Sequence, residues 1–150
     1  MPQDLISTMV ERDVALIPTI DVYQNIAEKN GTVAEWNANT LPIVYDNLRR
    51  FHAAGGTLAL GDDCCNPGVE LGMPVDEIDH WLAADIQPME VIVAATRGGA
   101  TVSGLREQIG TLERGKTADV LVVDSDPLTD MNALDQVSLV VRGGEVVYPP

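Results

Sequence analysis

The chain has 150 residues, enough for one domain of ordinary size. It is 45% hydrophobic but only 4% aromatic, so its core must be built from aliphatic side chains. Nine basic residues against 23 acidic ones give a net charge of −14, which argues against a nucleic-acid binder and disfavours an anionic membrane surface.

Residues 3–12 place Leu5, Ile6, Met9 and Val10 on one helical face. Val14-Ala15-Leu16-Ile17, closed by Pro18, is a short continuous apolar run, the pattern of a strand buried on both faces of a parallel sheet. Thr32-Val33-Ala34-Glu35 has the form of a capping box. The helix it opens is expected to reach about Ala54, with Pro42 as a break or kink. Gly55-Gly56 punctuates the chain, and Thr57 to Leu60 predicts a second buried strand.

Pro74 and Pro88 each open a further helix, because the missing N–H of proline costs nothing at the first helical position. Val75, Ile78, Trp81 and Leu82 are expected on the inner side of the first. Met89, Ile92, Val93 and either Ala95 or Thr96 are expected inward on the second, whose end Gly98-Gly99 loosens. From Ile109 the pattern changes to a turn-rich stretch, IGTLERGK, and then to strands at 118–124, 137–142 and 145–148. Gly143-Gly144 between the last two is a two-residue hairpin signal. The chain therefore reads as α/β to about residue 108, with a small β part over 109–150. Two parallel-type strands are too few for a closed (β/α)8 barrel, which takes roughly 250 residues.

The second apolar run ends in Gly61-Asp62-Asp63-Cys64-Cys65. In α/β folds the C-terminal ends of parallel strands carry the chemistry. A carboxylate at Asp63 can hold a divalent metal or take a proton from an activated water; it can equally cap a turn. Asp62 and Asp63 are adjacent and point opposite ways on an extended backbone, so one is expected to face the mouth and the other to serve the turn. Cys64 or Cys65 offers a thiolate nucleophile, but two neighbouring aspartates oppose thiolate formation. Adjacent cysteines do not suit a structural disulfide, and no Cys/His cluster has zinc spacing, so a reducing, cytoplasmic setting is expected. The N-terminus lacks the pattern of a secretory signal, and no apolar run approaches the ~20 residues of a membrane span. His52 ends a helix, where its charge suits the dipole, and His80 lies beside Trp81 on an amphipathic helix. Neither has a partner at metal-ligand spacing.

Several stretches, in order, resemble the C-terminal portion of a metal-dependent amidohydrolase, in the branch of imidazolonepropionase-like enzymes and prolidase-like peptidases. ERDVALIPTI resembles the segment leading into barrel strand seven, and AAGGTLALGDD resembles strand eight with its Gly-x-Asp metal-site signature. IQPMEVIVAATRGGATVSGL resembles the helix pair that follows, IGTLERGKTADVLVVDSDPLTD the return into a small β-sandwich, and VVRGGEVVY its last hairpin. The resemblance covers nearly the whole chain. It implies a partial (β/α) barrel over 1–108, comprising strands seven and eight with their helices, and a sandwich portion over 109–150.

The same resemblance implies hydrolysis of an amide, lactam or ester bond in a small-molecule substrate by metal-activated water, zinc being the expected metal. Asp63 aligns with the aspartate that binds metal and shuttles the proton. Asp62 takes a position where the family often has Thr or Ser. The family's strand-one His-x-His pair, strand-four Lys or Glu and strand-five and strand-six histidines would all precede residue 1, and His52 and His80 do not align with them. Such a piece would leave sheet edges and apolar helix faces open, so a homo-oligomer or a complementary chain is expected to cover them. Two other readings remain open: a non-catalytic fragment or assembly module, and a metal-independent esterase using Cys64 or Cys65.

Overall fold

A computed structural model describes residues 1–66, 68–69 and 71–149. The chain forms two compact units, Met1–Gln87 and Pro88–Pro150. In the first, α1 (Gln3–Glu11) and α2 (Ile20–Lys29) precede a continuous helical run made of α3 (Val33–Glu35), a π-helical turn (Trp36–Thr40) and α4 (Leu41–Ala53); α5 (Val75–Ala83) closes the unit. Helix α5 packs against both α2 and α4. The core holds Ile6, Ile20, Leu48, Phe51, Ile78 and Trp81, none more than 2% exposed. The aliphatic core expected from composition thus has two aromatic members at its centre.

Pro42 explains the π turn before it. A proline at 42 has no N–H to give to residue 38, and its ring crowds that carbonyl. Widening the preceding turn relieves the crowding without breaking the helix.

Five helical segments end in the same way. After α1, α2, α4, α5 and α7 (Gly99–Val102) a residue with positive φ turns the chain: Asp13, Gly31, Gly55, Asp85 and Gly104. In each case the N–H of the following residue reaches back five positions: Val14 to Met9, Thr32 to Ala27, Gly56 to Phe51, Ile86 to Trp81 and Leu105 to Ala100. These are Schellman endings, which satisfy carbonyls that the helix leaves open. The ending of α2 also undoes the expected capping box. Thr32 gives its hydroxyl to the Ala27 carbonyl at 3.3 Å and makes no side-chain cap to α3.

The two expected buried strands are much reduced. Residues 14–17 and 57–60 meet in one parallel bridge, Leu16 to Leu58. Leu58 and Ala59 are buried, whereas Val14 and Ile17 are each 44% exposed. A pair of short strands with both outer edges open lacks the neighbours that would extend its ladder.

In the second unit α6 (Pro88–Val93), a π turn (Ala94–Gly98) and α7 form one run, so Gly98-Gly99 does not end the helix. Its buried positions are Val91, Ala94, Gly98 and Ala100, not the expected face: Met89 is 51% exposed, and Ala95 and Thr96 are exposed. A small-residue face suits a neighbouring backbone. The chain at Gly110 lies so close that a Cβ there would stand 2.6 Å from Ala100 Cβ. Lys116 fastens the same loop through Nζ, which donates to the Arg106 carbonyl at 2.7 Å and Thr111 Oγ1 at 2.6 Å.

Strands β1 (Val120–Val123), β2 (Val137–Arg142) and β3 (Glu145–Tyr148) form an antiparallel sheet in that order, matching the predicted segments. Gly143 and Gly144 both take positive φ, as a tight hairpin turn of primed type requires. Their N–H groups are held by Asp119 Oδ1 and the Ala118 carbonyl. Leu121, Val122, Val146 and Val147 remain exposed. Among the described residues no helix is long and apolar enough to cross a membrane.

Two substitutions test this account. Gly56→Ala would set a methyl group 2.3 Å from the Phe51 ring. It should lower unfolding free energy in urea titrations by about 1–3 kcal/mol. Asp13→Gly relieves a left-handed residue at an exposed helix end and should raise it by up to about 1 kcal/mol.

Candidate functional site

Leu16 N–H donates to the Thr57 carbonyl at 2.9 Å, and Ala59 N–H donates to the Leu16 carbonyl at 3.1 Å. Beyond this bridge the two segments stay in contact, since the Ile17 side chain covers Gly61 so closely that a Cβ there would lie 2.9 Å from Ile17 Cγ2. Two segment ends therefore lie side by side. One leads through Pro18 and Thr19 into α2; the other runs into Asp62 and Asp63.

The two carboxylates have different surroundings. Asp62 is half-buried, and its Oδ1 accepts the Cys64 N–H at 3.2 Å, closing an Asx turn. Asp63 is exposed with φ 56°, and its carbonyl accepts a hydrogen bond from Asn66 Nδ2 at 3.0 Å. Asn25 on α2 reaches the same loop: Nδ2 donates to Asp21 Oδ1 at 2.9 Å and to the Gly68 carbonyl at 3.3 Å. Asp21 is buried. Burial first, then the charges of Asp76 and Asp62, raise its pKa against the lowering effect of Asn25.

Glu77 is a residue that the sequence did not single out, and it is completely buried. Its Oε2 accepts the Asp21 N–H at 2.9 Å and its Oε1 accepts the Trp81 indole N–H at 2.9 Å. A carboxylate on α5 thus serves an open N–H in the first turn of α2, where the helix dipole also favours negative charge. Thr19, the residue preceding α2, makes no side-chain cap. Burial drives the Glu77 pKa up to about 7 in spite of these hydrogen bonds. A hydrophobic-periodicity reading places residue 77 only by its neighbours; its position one turn before Trp81, facing a helix start, is a tertiary fact.

His80 is also buried, with Nδ1 2.7 Å from the Tyr45 hydroxyl. Burial lowers its pKa, opposed by Asp76 and Asp79. It is a satisfied core histidine. His52 lies in the last turn of α4. Among the described residues no three His, Cys, Asp or Glu side chains come together in a way that could hold a metal ion. The structure therefore joins the tip to the first turn of α2, and it brings neither histidine to Asp63 as a metal-binding group.

The sequence profile described as "Amidohydrolase family" matches residues 4–147. The chain belongs to the amidohydrolase family. Its curated relatives include an imidazolonepropionase of Porphyromonas gingivalis, 31% identical over 130 residues, which cover 82% of this chain and 30% of the relative. A 5-methylthioadenosine/S-adenosylhomocysteine deaminase of Moorella thermoacetica is 31% identical over 109 residues, covering 66% of this chain and 26% of the relative. Among solved structures, a Xaa-Pro dipeptidase with methionine bound in its active site superposes with a TM-score of 0.80 at 26% identity, over 97% of this chain and 37% of that one. This amidohydrolase chain thus spans well under half the length of the relatives it matches.

Glu77 yields a signed prediction. Its pKa rises from 4.5 in the unfolded chain to about 7 in the folded one. Its contribution to stability is therefore complete below about pH 4.5 and is lost as pH rises through about 7, an effect of about 3 kcal/mol. Glu77→Gln stays neutral and keeps one acceptor oxygen. Urea titrations of both proteins at pH 5 and pH 8 should show the variant's deficit shrinking by about that amount at the higher pH. A deficit equal at both pH values would mean that Glu77 does not titrate in this range.

Proposed function

We propose that this chain forms the strand-seven and strand-eight part of an amidohydrolase that cleaves an amide, lactam or ester bond of a small molecule, with Asp63 as its working carboxylate. In this reading residues 1–108 are a partial (β/α) barrel and residues 109–150 belong to a composite β-sandwich, within a protein of a reducing, cytoplasmic compartment. One observation carries the proposal most directly. The single parallel bridge ends at a turn in which Asp62 is occupied by the backbone and Asp63 is exposed.

The family's divalent metal, zinc first, fails a test of fit within this chain alone. A catalytic zinc takes three protein ligands. The described residues bring no such group together, and Asp62 is engaged in its turn. Asp63 would supply one donor, with the others coming from chain segments outside this sequence or from a second copy. The open apolar residues Leu121, Val122, Val146 and Val147 on the sheet, and Val14 and Ile17 at the bridge, support a homo-oligomer or a complementary chain.

The chemistry that this chain supplies is proton transfer. An exposed carboxylate at the mouth takes a proton from the attacking water and returns it to the leaving nitrogen or oxygen. Asp62 sets the turn that aims it. Asp21, held by Asn25, lies close enough to Asp62 to feel its charge, so the region around the turn is acidic.

Asp63→Asn should lower hydrolysis of a responsive amide or ester about 10²–10⁴-fold, as expected for loss of a general acid–base. Asp62→Asn should have a smaller effect, through the turn. Hydrolysis and metal content left unchanged in Asp63→Asn would sink the proposal. The missing donor set favours a second reading, a non-catalytic assembly module. A metal-free oligomer, inert on amide and ester panels, would establish it.

A further inference from the structure

Cys64 and Cys65 follow the two aspartates and are unused by the proposed chemistry. Both are free thiols; Cys64 is half-buried and Cys65 exposed. Side chains of neighbouring residues on an extended strand point to opposite faces. Here their sulfur atoms stand 3.8 Å apart. The local backbone accounts for the difference, because Asp63 at φ 56° and Cys65 at φ 73° both adopt the left-handed conformation that side chains rarely take. Hydrogen bonds hold it: Cys64 N–H to Asp62 Oδ1, Cys65 N–H to the Val69 carbonyl at 3.2 Å, and Val69 N–H to the Asn66 carbonyl at 3.0 Å.

We propose that Cys64 and Cys65 are a reversible vicinal dithiol–disulfide couple whose closure rebuilds the turn that carries Asp63. The oxidant is a low-molecular-weight disulfide of the glutathione class. The exposed Cys65 thiolate attacks one sulfur of the reagent, forming a mixed disulfide and releasing one thiol. The Cys64 thiolate then attacks Cys65 Sγ and expels the second thiol. Two protein thiols are oxidised, one disulfide is reduced to two thiols, and the two protons leave with the released thiols. Excess reduced thiol runs the sequence backwards.

Adjacent residues set both the ease of closure and its reversibility. Their Cα atoms are about 3.8 Å apart across a trans peptide, below the 4.4–6.8 Å span of relaxed disulfides. A ring formed there is strained and readily reduced, which suits a regulatory bond and not a structural one. Forming it must turn the Cys64–Cys65 peptide, whose N–H is bonded to the Val69 carbonyl, and so disturb the adjoining Cys64 N–H bond to Asp62 Oδ1 and the Asn66 contact to the Asp63 carbonyl.

The chemistry of the couple stands apart from Asp63's catalytic role; only its effect on hydrolysis rests on that reading. The test therefore uses no substrate. The full reduced chain is incubated with oxidised glutathione in mildly alkaline buffer, then alkylated and mapped by mass spectrometry. The expected product has lost two hydrogens, carries no alkyl group at Cys64 or Cys65, and reverts with dithiothreitol. Cys64→Ser and Cys65→Ser should each stop at a glutathione adduct on the remaining thiol. In nuclear magnetic resonance spectra the Asp63 amide and the Asn66 side-chain amide should shift on oxidation. Stable glutathione adducts on the wild type, chain-to-chain dimers through these cysteines, no reaction, or oxidation without those shifts would each overturn the proposal.

Discussion

The carboxylate of Glu77 fixes the arrangement around which the first unit is built. It is fully buried and accepts hydrogen bonds from the first turn of α2 and from the Trp81 indole. A buried carboxyl without partners is strongly unfavourable, and here both oxygens are used. The constraint is reciprocal. The first turn of α2 gains a buried acceptor from α5, and Glu77 gains from α2 a donor that offsets its burial. The entry to α2 is the same backbone that leaves the Leu16–Leu58 bridge, so the inner packing of α5 bears on where Thr19, Asp21 and Asn25 sit beside the Asp62–Asp63 turn.

The tip itself shows how one carboxylate is freed by another. Asp62 satisfies the Cys64 N–H, so the turn holds without recruiting the Asp63 side chain. Among the described residues Asp63 contributes its carbonyl, to Asn66. The result is an exposed carboxylate on a backbone with defined direction, in a chain that belongs to the amidohydrolase family. The histidines went elsewhere for local reasons: His80 is paired with Tyr45 inside the core, and His52 is in the last turn of α4.

What was legible in the sequence was mostly local. Helices beginning near Gln3, Val33, Val75 and Pro88 follow from apolar spacing and turn or proline signals, and the β2–β3 hairpin follows from alternation around Gly143-Gly144. The order of motifs pointed to the family. Long-range pairing was not legible. Val14–Ile17 and Thr57–Leu60 read as full strands, but strand length depends on neighbours that composition does not reveal. The inner face of this helical run was misread because apolar bulk at Met89 and Ile92 outweighed the buried small residues Ala94, Gly98 and Ala100, the last of which meets the loop at Gly110. The Thr32 box failed because the closing turn of α2 had already claimed the hydroxyl. Of the candidate site, the strand tip and its two aspartates could be marked from sequence. The support from Glu77, Asp21 and Asn25 could not, since those contacts join residues more than forty positions apart or a helix start to a loop.

Lys116 has a practical consequence of its own. The chain has two lysines, Lys29 and Lys116. The Lys116 ammonium is held among the Arg106 and Ile109 carbonyls and Thr111 Oγ1, and its side chain is only 14% exposed. Amine-directed chemistry on the lysine side chains of the folded protein is thereby confined in practice to Lys29. Attachment of a fluorophore or a solid support through lysine would accordingly be close to site-selective on α2, with no engineering of the surface.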